Sequence, residues 1–195
     1  MRRNGFTVVE LVITMAIMAI LLGLAVVSLI STQANGRDAE RKSDIETIAR
    51  GIEQRYSRGF AIPSDGSGQP TSATLPSPIS LNEGSYPSTQ EMSYLMGSAN
   101  SNFSPATLLN KNFITDNLPG TDLSSFSAPN NGNLIVSSSR SAPNASTLGN
   151  NYMYTPLNAA KNLCTDINTT CASFTLYYVS EVGGTVQAIG SRHQQ

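Results

Sequence analysis

The fold of this chain is decided by its first stretch, MRRNGFTVVELVITMAIMAILLGLAVVSLI, residues 1–30 of 195. From Phe6 to Ile30 every residue is apolar, small or hydroxylic except Glu10. As a helix this stretch reaches roughly 37 Å, enough to cross a hydrocarbon core of about 30 Å with some tilt. A carboxylate in that core costs on the order of 3 kcal/mol, so we expect Glu10 to have a function.

Glu10 needs a compensating positive charge, and no basic residue lies within reach downstream of it. Cleavage after Gly5 would give Phe6 a new α-ammonium, one helical turn before Glu10, where an i,i+4 pair can form. The ammonium of one subunit could equally meet the glutamate of a neighbour in a helix bundle. Opposite charges attract more strongly in a low-dielectric region than in water, so either pairing is favourable there. The second pairing would also favour the assembly of subunits into a bundle.

The segment from Gly5 to Leu11, after a short basic leader and before a long apolar helix, resembles the class III signal of type IV pilins. Gly5, Phe6 and Glu10 match that pattern position by position. The resemblance implies that a prepilin peptidase cuts after Gly5 and methylates Phe6. It also implies that Phe6 and Glu10 take part in filament assembly.

Two other kinds of N-terminal segment share some of these features. A secretory signal peptide has an apolar core of about 7–15 residues and a small-residue cleavage site. The apolar run here is longer, and Thr32-Gln33-Ala34 fits that cleavage site poorly. A plain signal anchor satisfies the hydropathy but gives Glu10 no role.

The apolar stretch continues as an amphipathic helix through residues 31–58. Five apolar residues follow the spacing of one helical face: Ile45, Ile48, Ala49, Ile52 and Tyr56. No proline interrupts the chain between Phe6 and Arg58, so we predict one continuous helix. The charges concentrated between Arg37 and Arg58 have two interpretations, a solvated helix face or contacts between stacked subunits. Two i,i+4 pairs are expected among them, Asp38–Lys42 and Glu46–Arg50.

A head domain is expected over residues 59–195. Residues 59–151 are rich in Ser, Asn, Gly, Thr and Pro and predict a loop-rich layer with two short helices, one after the capping box at Ser88–Glu91 and one after Ser104-Pro105. Residues 152–195 contain the clearest strand pattern, alternating from Ala172 to Ser180. A turn at Gly183-Gly184 then predicts a hairpin.

The resemblance to type IV pilins implies an α+β fold for the whole chain. In that fold a very long N-terminal helix packs against a C-terminal antiparallel sheet of about four strands.

The two cysteines, Cys164 and Cys171, lie just before the predicted hairpin. In an exported protein two cysteines at this spacing suggest a disulfide, and two free buried thiols are the alternative. The pair also resembles the disulfide-bounded loop that many pilins have near the C-terminus.

Composition argues against several functional classes. The chain has 12 basic and 13 acidic side chains, and after Gly59 the basic ones are dispersed, so no specific nucleic-acid site is evident. The single histidine, His193, lies near an end expected to be loose. With two cysteines it lacks metal-site spacing. Asp166 and Asn168 could donate oxygens to calcium, as in the major pseudopilins of type II secretion, but a plain turn is favoured. We therefore expect no enzyme activity, no cofactor and no metal.

The sequence thus predicts a structural pilin subunit of a cell-surface type IV pilus, for adhesion or twitching motility. Its parts are a cleaved leader (1–5), a membrane and filament-core helix (6–30), an amphipathic continuation (31–58) and the head. The implied partners are other pilin subunits, a prepilin peptidase and the assembly machinery of the inner membrane. Before assembly the chain would lie in the cytoplasmic membrane. The alternatives are a minor pilin, a type II secretion pseudopilin, and a membrane-anchored binding module that never polymerises.

Overall fold

The computed structural model describes residues 7–56, 61–63, 78–80, 84–95, 118, 120–166 and 169–193. Several expectations fall outside these residues. They are the leader with Gly5 and Phe6, the helix expected after Ser104-Pro105, and Asn168 of the loop between the cysteines.

A single helix, α1, runs without interruption over Val8–Tyr56 and is 49 residues long. This confirms the continuous helix expected from the absence of proline. Its first half carries only exposed side chains among those described up to Gln33, and Ala34 is the first that is partly covered. Its second half lies under the head. The predicted face is confirmed there, since Ile45, Ile48 and Ile52 are fully buried.

Small elements form the first described part of the head. Ala61–Pro63 (β1) and Pro78–Ser80 (β2) pair as a separate antiparallel ribbon. Helix α2 spans Thr89–Leu95. A 3-10 helix covers Leu123–Phe126 just before the main sheet begins.

The predicted capping box starts α2. The Glu91 carboxylate accepts the Ser88 backbone N–H, and the Glu91 N–H donates to the Ser88 hydroxyl at 3.2 Å. Burial raises the pKa of the Glu91 carboxyl. The cap is therefore an internal part of the head, and it satisfies helix N–H groups that would otherwise lack partners.

The head is built on a five-stranded sheet whose strands, β3 to β7, lie side by side in chain order. They span Ser127–Ala128, Gly132–Val136, Tyr152–Asn158, Cys171–Val179 and Val186–Gly190. Neighbouring strands are antiparallel except β4 and β5, which are parallel, with Ile135 opposite Met153. A short helix, α3 (Ala145–Leu148), lies in the crossover between these two strands. The fold is therefore α+β, with five strands in place of the expected four and one parallel pair.

The strongest strand prediction is confirmed by the burial pattern of β6. Phe174, Leu176 and Tyr178 point into the core against α1, and β7 returns after Gly184, which adopts φ +60° at the turn. Left-handed backbone of this kind favours glycine because it has no Cβ. The turn places the end of the hairpin beside the middle of α1.

Cys164 and Cys171 form a disulfide with a Cα–Cα separation of 5.8 Å. The Cys164 carbonyl accepts the Thr89 N–H at 2.9 Å, and the Cys171 carbonyl accepts the Tyr86 N–H at 3.0 Å. The disulfide therefore closes a loop whose two ends both hydrogen-bond to the segment that leads into α2.

Candidate functional site: the N-terminal helix and its junction with the head

Glu10 lies in the first turn of α1 and closes a reciprocal cap with Thr7. The Thr7 N–H and the Thr7 hydroxyl both donate to Glu10 Oε2 at 2.8 Å. The Glu10 N–H donates back to the Thr7 hydroxyl at 3.3 Å. This is a capping box, with Thr7 as the N-cap and Glu10 three residues later.

The cap provides local compensation for the Glu10 carboxylate. The charge lies at the positive end of the helix dipole and accepts two hydrogen bonds, so it does not depend on a distant cation. All of these bonds fall on Oε2. Oε1 has no hydrogen-bond partner within the described part of the chain, so it remains available to an ammonium group.

Sequence reasoning missed this cap, although its signal, Thr7-Val8-Val9-Glu10, has the Thr-x-x-Glu spacing that predicts one. The pairing expected between Phe6 and Glu10 stays a prediction, because Phe6 and Gly5 are outside the described residues. Thr7 therefore joins Phe6 and Glu10 as a residue of the candidate site.

The N-terminal half of α1 presents a continuous apolar surface. It is the one helix in the described part of the chain that is long and apolar enough to cross a membrane. Large side chains along it are exposed, from Val8 to Leu29. Exposed apolar surface on this scale marks a membrane or protein contact.

Asp38 is the centre of the junction between α1 and the head. Its carboxylate accepts the Ser180 hydroxyl at 2.7 Å, the Glu181 N–H at 2.7 Å and the Val182 N–H at 3.1 Å. Arg41 also donates to it, at 2.9 Å. Burial opposes ionisation, but these hydrogen bonds outweigh it and lower the pKa of Asp38 to about 2.

Two arginines complete this junction. Arg37 forms a two-bond ion pair with Glu181, and the Arg41 guanidinium lies 3.3 Å from the same carboxylate. Arg41 is almost fully buried. We call Arg37, Asp38, Arg41 and Glu181 the junction cluster. It contains two cations and two anions, so its net charge is zero.

The charges of α1 therefore have a role that neither sequence interpretation included, since several of them fix the head to the helix. The expected Asp38–Lys42 and Glu46–Arg50 pairs are absent from the ion pairs of the described residues. Asp38 instead pairs with Arg41 and the turn. The i,i+4 rule failed for Asp38 because the hairpin supplies better partners, while Arg50 donates to the Thr47 hydroxyl at 3.2 Å.

Two further acidic residues of α1, Asp44 and Glu53, accept hydrogen bonds from the head. The Tyr152 hydroxyl donates to Asp44 Oδ2 at 2.9 Å, and burial raises the pKa of Asp44 to about 6. Glu53 accepts the Tyr86 hydroxyl at 3.0 Å and the Arg192 N–H at 2.7 Å.

The sequence suggested a loose end near His193. The structure instead holds the described end of the chain against the helix. His193 stacks on Tyr56 with ring centroids 4.7 Å apart, and its Nε2 lies 3.7 Å from Glu53 Oε2. These contacts close the sheet against the C-terminal end of α1.

An open groove of about 460 Å³ runs between α1 and β7, the edge strand of the sheet. Lys42, Glu46, Arg50 and Arg192 contribute charged groups to its lining. The groove therefore presents charge of both signs to solvent. Among the described residues there is no cluster of His, Cys, Asp or Glu that could hold a metal ion.

Comparison with protein families gives one match, the prokaryotic N-terminal methylation motif, over residues 1–26. Comparisons with the curated proteins and with the solved structures give no match.

The motif, the membrane-capable helix and the α+β head together point to a structural protein that carries a class III signal. More narrowly, they support a type IV pilin-like prepilin, a subunit of pilin or pseudopilin type. The motif implies processing by a prepilin peptidase, and it fits anchoring in the membrane before assembly.

Proposed function

We propose that the chain is a structural subunit that polymerises into a type IV pilus on the cell surface, supporting adhesion or twitching motility. Prepilin peptidase would cut after Gly5 and methylate Phe6. The mature subunit would wait in the cytoplasmic membrane until the assembly machinery extracts it into the filament. Its head would form the outer surface.

The observation that carries this proposal is the geometry of Glu10 on an exposed apolar helix. The carboxylate is held by Thr7 through one oxygen, which leaves Oε1 to accept an ammonium group. A neighbouring subunit that begins at Phe6 would bring such a group. An ion pair shielded from water is stronger than the same pair at a surface, and removing the Glu10 charge would leave the ammonium of the neighbouring subunit buried without its partner.

Bundling would cover the apolar helix once it leaves the lipid. Leu11 is 50% exposed and Leu24 is 68% exposed in the single chain. Burial of such side chains against other helices supplies non-directional cohesion, while the Phe6–Glu10 pair would set the register between subunits. The charged groove between α1 and β7 offers a second contact for a neighbouring head.

Changing Glu10 to glutamine tests this proposal. The amide side chain would keep the shape and one acceptor oxygen for the cap but remove the charge. In the native cell we expect Glu10→Gln to be processed and to remain in the membrane, with sheared surface filaments reduced at least about tenfold, as expected for loss of a buried charge pair. Thr14→Ala is the control, because the Thr14 hydroxyl bonds only within its own helix, to the Leu11 carbonyl.

Filaments of Glu10→Gln at the wild-type level would contradict the proposal. If wild-type cells display the head but form no filaments, the chain is a membrane-anchored binding module. A short polymer found only with a different major subunit would favour a minor pilin or a pseudopilin.

A further inference from the structure

The turn between β6 and β7 lies at the end of the head that faces the apolar half of α1. At one end of the sheet the Arg192 N–H bonds to Glu53, and at the other end the Glu181 N–H bonds to Asp38. Asp38 is the nearer of these two acids to the apolar stretch. The turn, residues 180–185, therefore lies at the end of the sheet that is nearer the membrane segment.

The height of this turn lies close to the outer edge of the interfacial layer of a bilayer. Arg37 follows Ile30 by seven residues, or about 10 Å along the helix. The headgroup layer adds about 5–8 Å on each side of the hydrocarbon core. A turn fixed at Arg37 and Asp38, and directed toward the apolar half, therefore reaches the outer part of that layer.

The turn presents an apolar side chain in this position. Val182 is 58% exposed, and within the described residues it is the only large hydrophobic that is exposed outside the apolar half of α1. The two residues after it are Gly183 and Gly184. The turn thus ends in a small uncharged surface.

Four backbone N–H groups of the turn already have hydrogen-bond acceptors. Asp38 accepts the N–H groups of Glu181 and Val182. The Gly184 N–H bonds to the Ser180 carbonyl at 2.8 Å, and the Ser180 N–H to the Thr185 carbonyl at 2.9 Å. The junction cluster beside it has no net charge. Hydrogen bonds already made by these N–H groups, together with the absence of net charge, lower the cost of entering the partly dehydrated headgroup layer.

From these observations we propose that the β6–β7 turn is a membrane contact, which inserts Val182 into the headgroup layer and sets the depth and tilt of the stored subunit. This rests on the membrane-stored state of the proposed function. The junction cluster holds the turn rigidly to α1, so contact between the turn and lipid fixes the whole head against the membrane surface.

Tryptophan fluorescence tests this contact directly, because the chain contains no tryptophan. The full chain is reconstituted in phosphatidylcholine vesicles with one of three substitutions. Val182→Trp reports the turn and Ile20→Trp reports the apolar span. Ala160→Trp, exposed at the opposite end of the sheet, is the matched control.

We expect the emission of Val182→Trp to be blue-shifted relative to Ala160→Trp. Lipids brominated near the headgroup should quench Val182→Trp and leave Ala160→Trp unquenched. Ile20→Trp should be quenched best by lipids brominated deep in the acyl chain. Dilution with further lipid should leave the Val182→Trp signal unchanged.

Three results would overturn the contact. If Val182→Trp behaves like Ala160→Trp while Ile20→Trp is quenched at depth, the turn is in water and only the membrane contact fails. If the Val182→Trp blue shift disappears on dilution with lipid, a second copy covers the turn. If Ile20→Trp is not quenched, the helix is outside the bilayer, and both the contact and the membrane-stored state are wrong.

Discussion

Single residues carry much of the structural role of α1, and Asp38 is the clearest case. Replacing Asp38 with alanine would leave the Glu181 and Val182 N–H groups without their acceptor and would remove one partner of the buried Arg41. The two N–H groups lie at the surface and can bond to water, but the buried Arg41 loses a charged partner, which is expensive. We expect Asp38→Ala to lower the free energy of unfolding by about 2–4 kcal/mol, measured by denaturant titration of the full chain in detergent.

The matched control is Glu40→Ala, two residues away on the exposed side of the same helix. Exposed surface changes usually stay within about 0.5 kcal/mol. The pKa of Asp38 is lowered from 3.8 to about 2, so its stabilisation is present above pH 3.8 and is lost as the pH falls through about 2. Equal stability of the two variants at neutral pH would show that the junction cluster does not hold the head.

Asp44 has the opposite pH dependence. Burial raises its pKa from 3.8 to about 6, so the protonated form contributes stability that is complete below pH 3.8 and is lost as the pH rises through about 6. Asp44→Asn keeps an acceptor for the Tyr152 hydroxyl without a charge. We expect this variant to unfold at a higher temperature than wild type at pH 7.5 and at a similar temperature at pH 4.

Thermal scans at these two pH values check the prediction, with Glu46→Gln on the same helix as the control. If the difference in unfolding temperature between wild type and Asp44→Asn is the same at both pH values, Asp44 has no raised pKa.

At the scale of elements, the sequence predicted what depends on local periodicity. The buried face at Ile45, Ile48 and Ile52, the alternation in β6 and the α2 cap all follow from spacing within one segment. The parallel β4–β5 pair could not be predicted in this way, because it depends on the path of the crossover over residues 137–151 and not on spacing within one segment. β3 is only two residues long and has no readable pattern.

The candidate site shows the same division. Glu10 was found because one charge in an apolar run is anomalous, and the Thr7 cap could have been found from its spacing. The junction cluster could not, since Arg37 and Glu181 are far apart in sequence. Only the hairpin geometry decides which of the helix charges meet a partner.

Close packing of α1 against the head predicts an unusual response at Gly51. A Cβ there would lie 2.7 Å from Thr121 Cγ2 and 3.4 Å from Leu118 Cβ, whereas a Cβ at Gly36 would meet nothing within 4 Å. Alanine improves helix propensity by about 1 kcal/mol at either site. We nevertheless expect Gly51→Ala to destabilise the head by about 1–2 kcal/mol, because the packed site must shift.

Gly36→Ala is the matched control and should be neutral or stabilising by up to about 1 kcal/mol. Denaturant unfolding of both variants measures the difference. If Gly51→Ala is as stable as Gly36→Ala, then α1 does not pack closely against the segment around Thr121.

On the scale of the whole molecule, the chain has one part whose apolar surface is exposed and one part whose apolar side chains are buried in its own core. The apolar half of α1 is exposed along its length, while the second half, the sheet and α2 share one buried core. The helix itself connects the two parts, and the junction cluster fixes the β6–β7 turn of the head to it. This division suits a subunit that is first stored in lipid and then moved into a helix bundle.

The central claim is processing into a mature subunit, and the intact mass with the N-terminal sequence tests it most directly. The protein should be taken from the native cell surface, with the membrane fraction as a comparison. We predict a chain that begins at Phe6 and carries one additional methyl group. A chain that begins at Met1 would indicate a signal anchor, and one that begins near Asn35 would indicate a secreted domain. Either result would contradict the role given to Glu10.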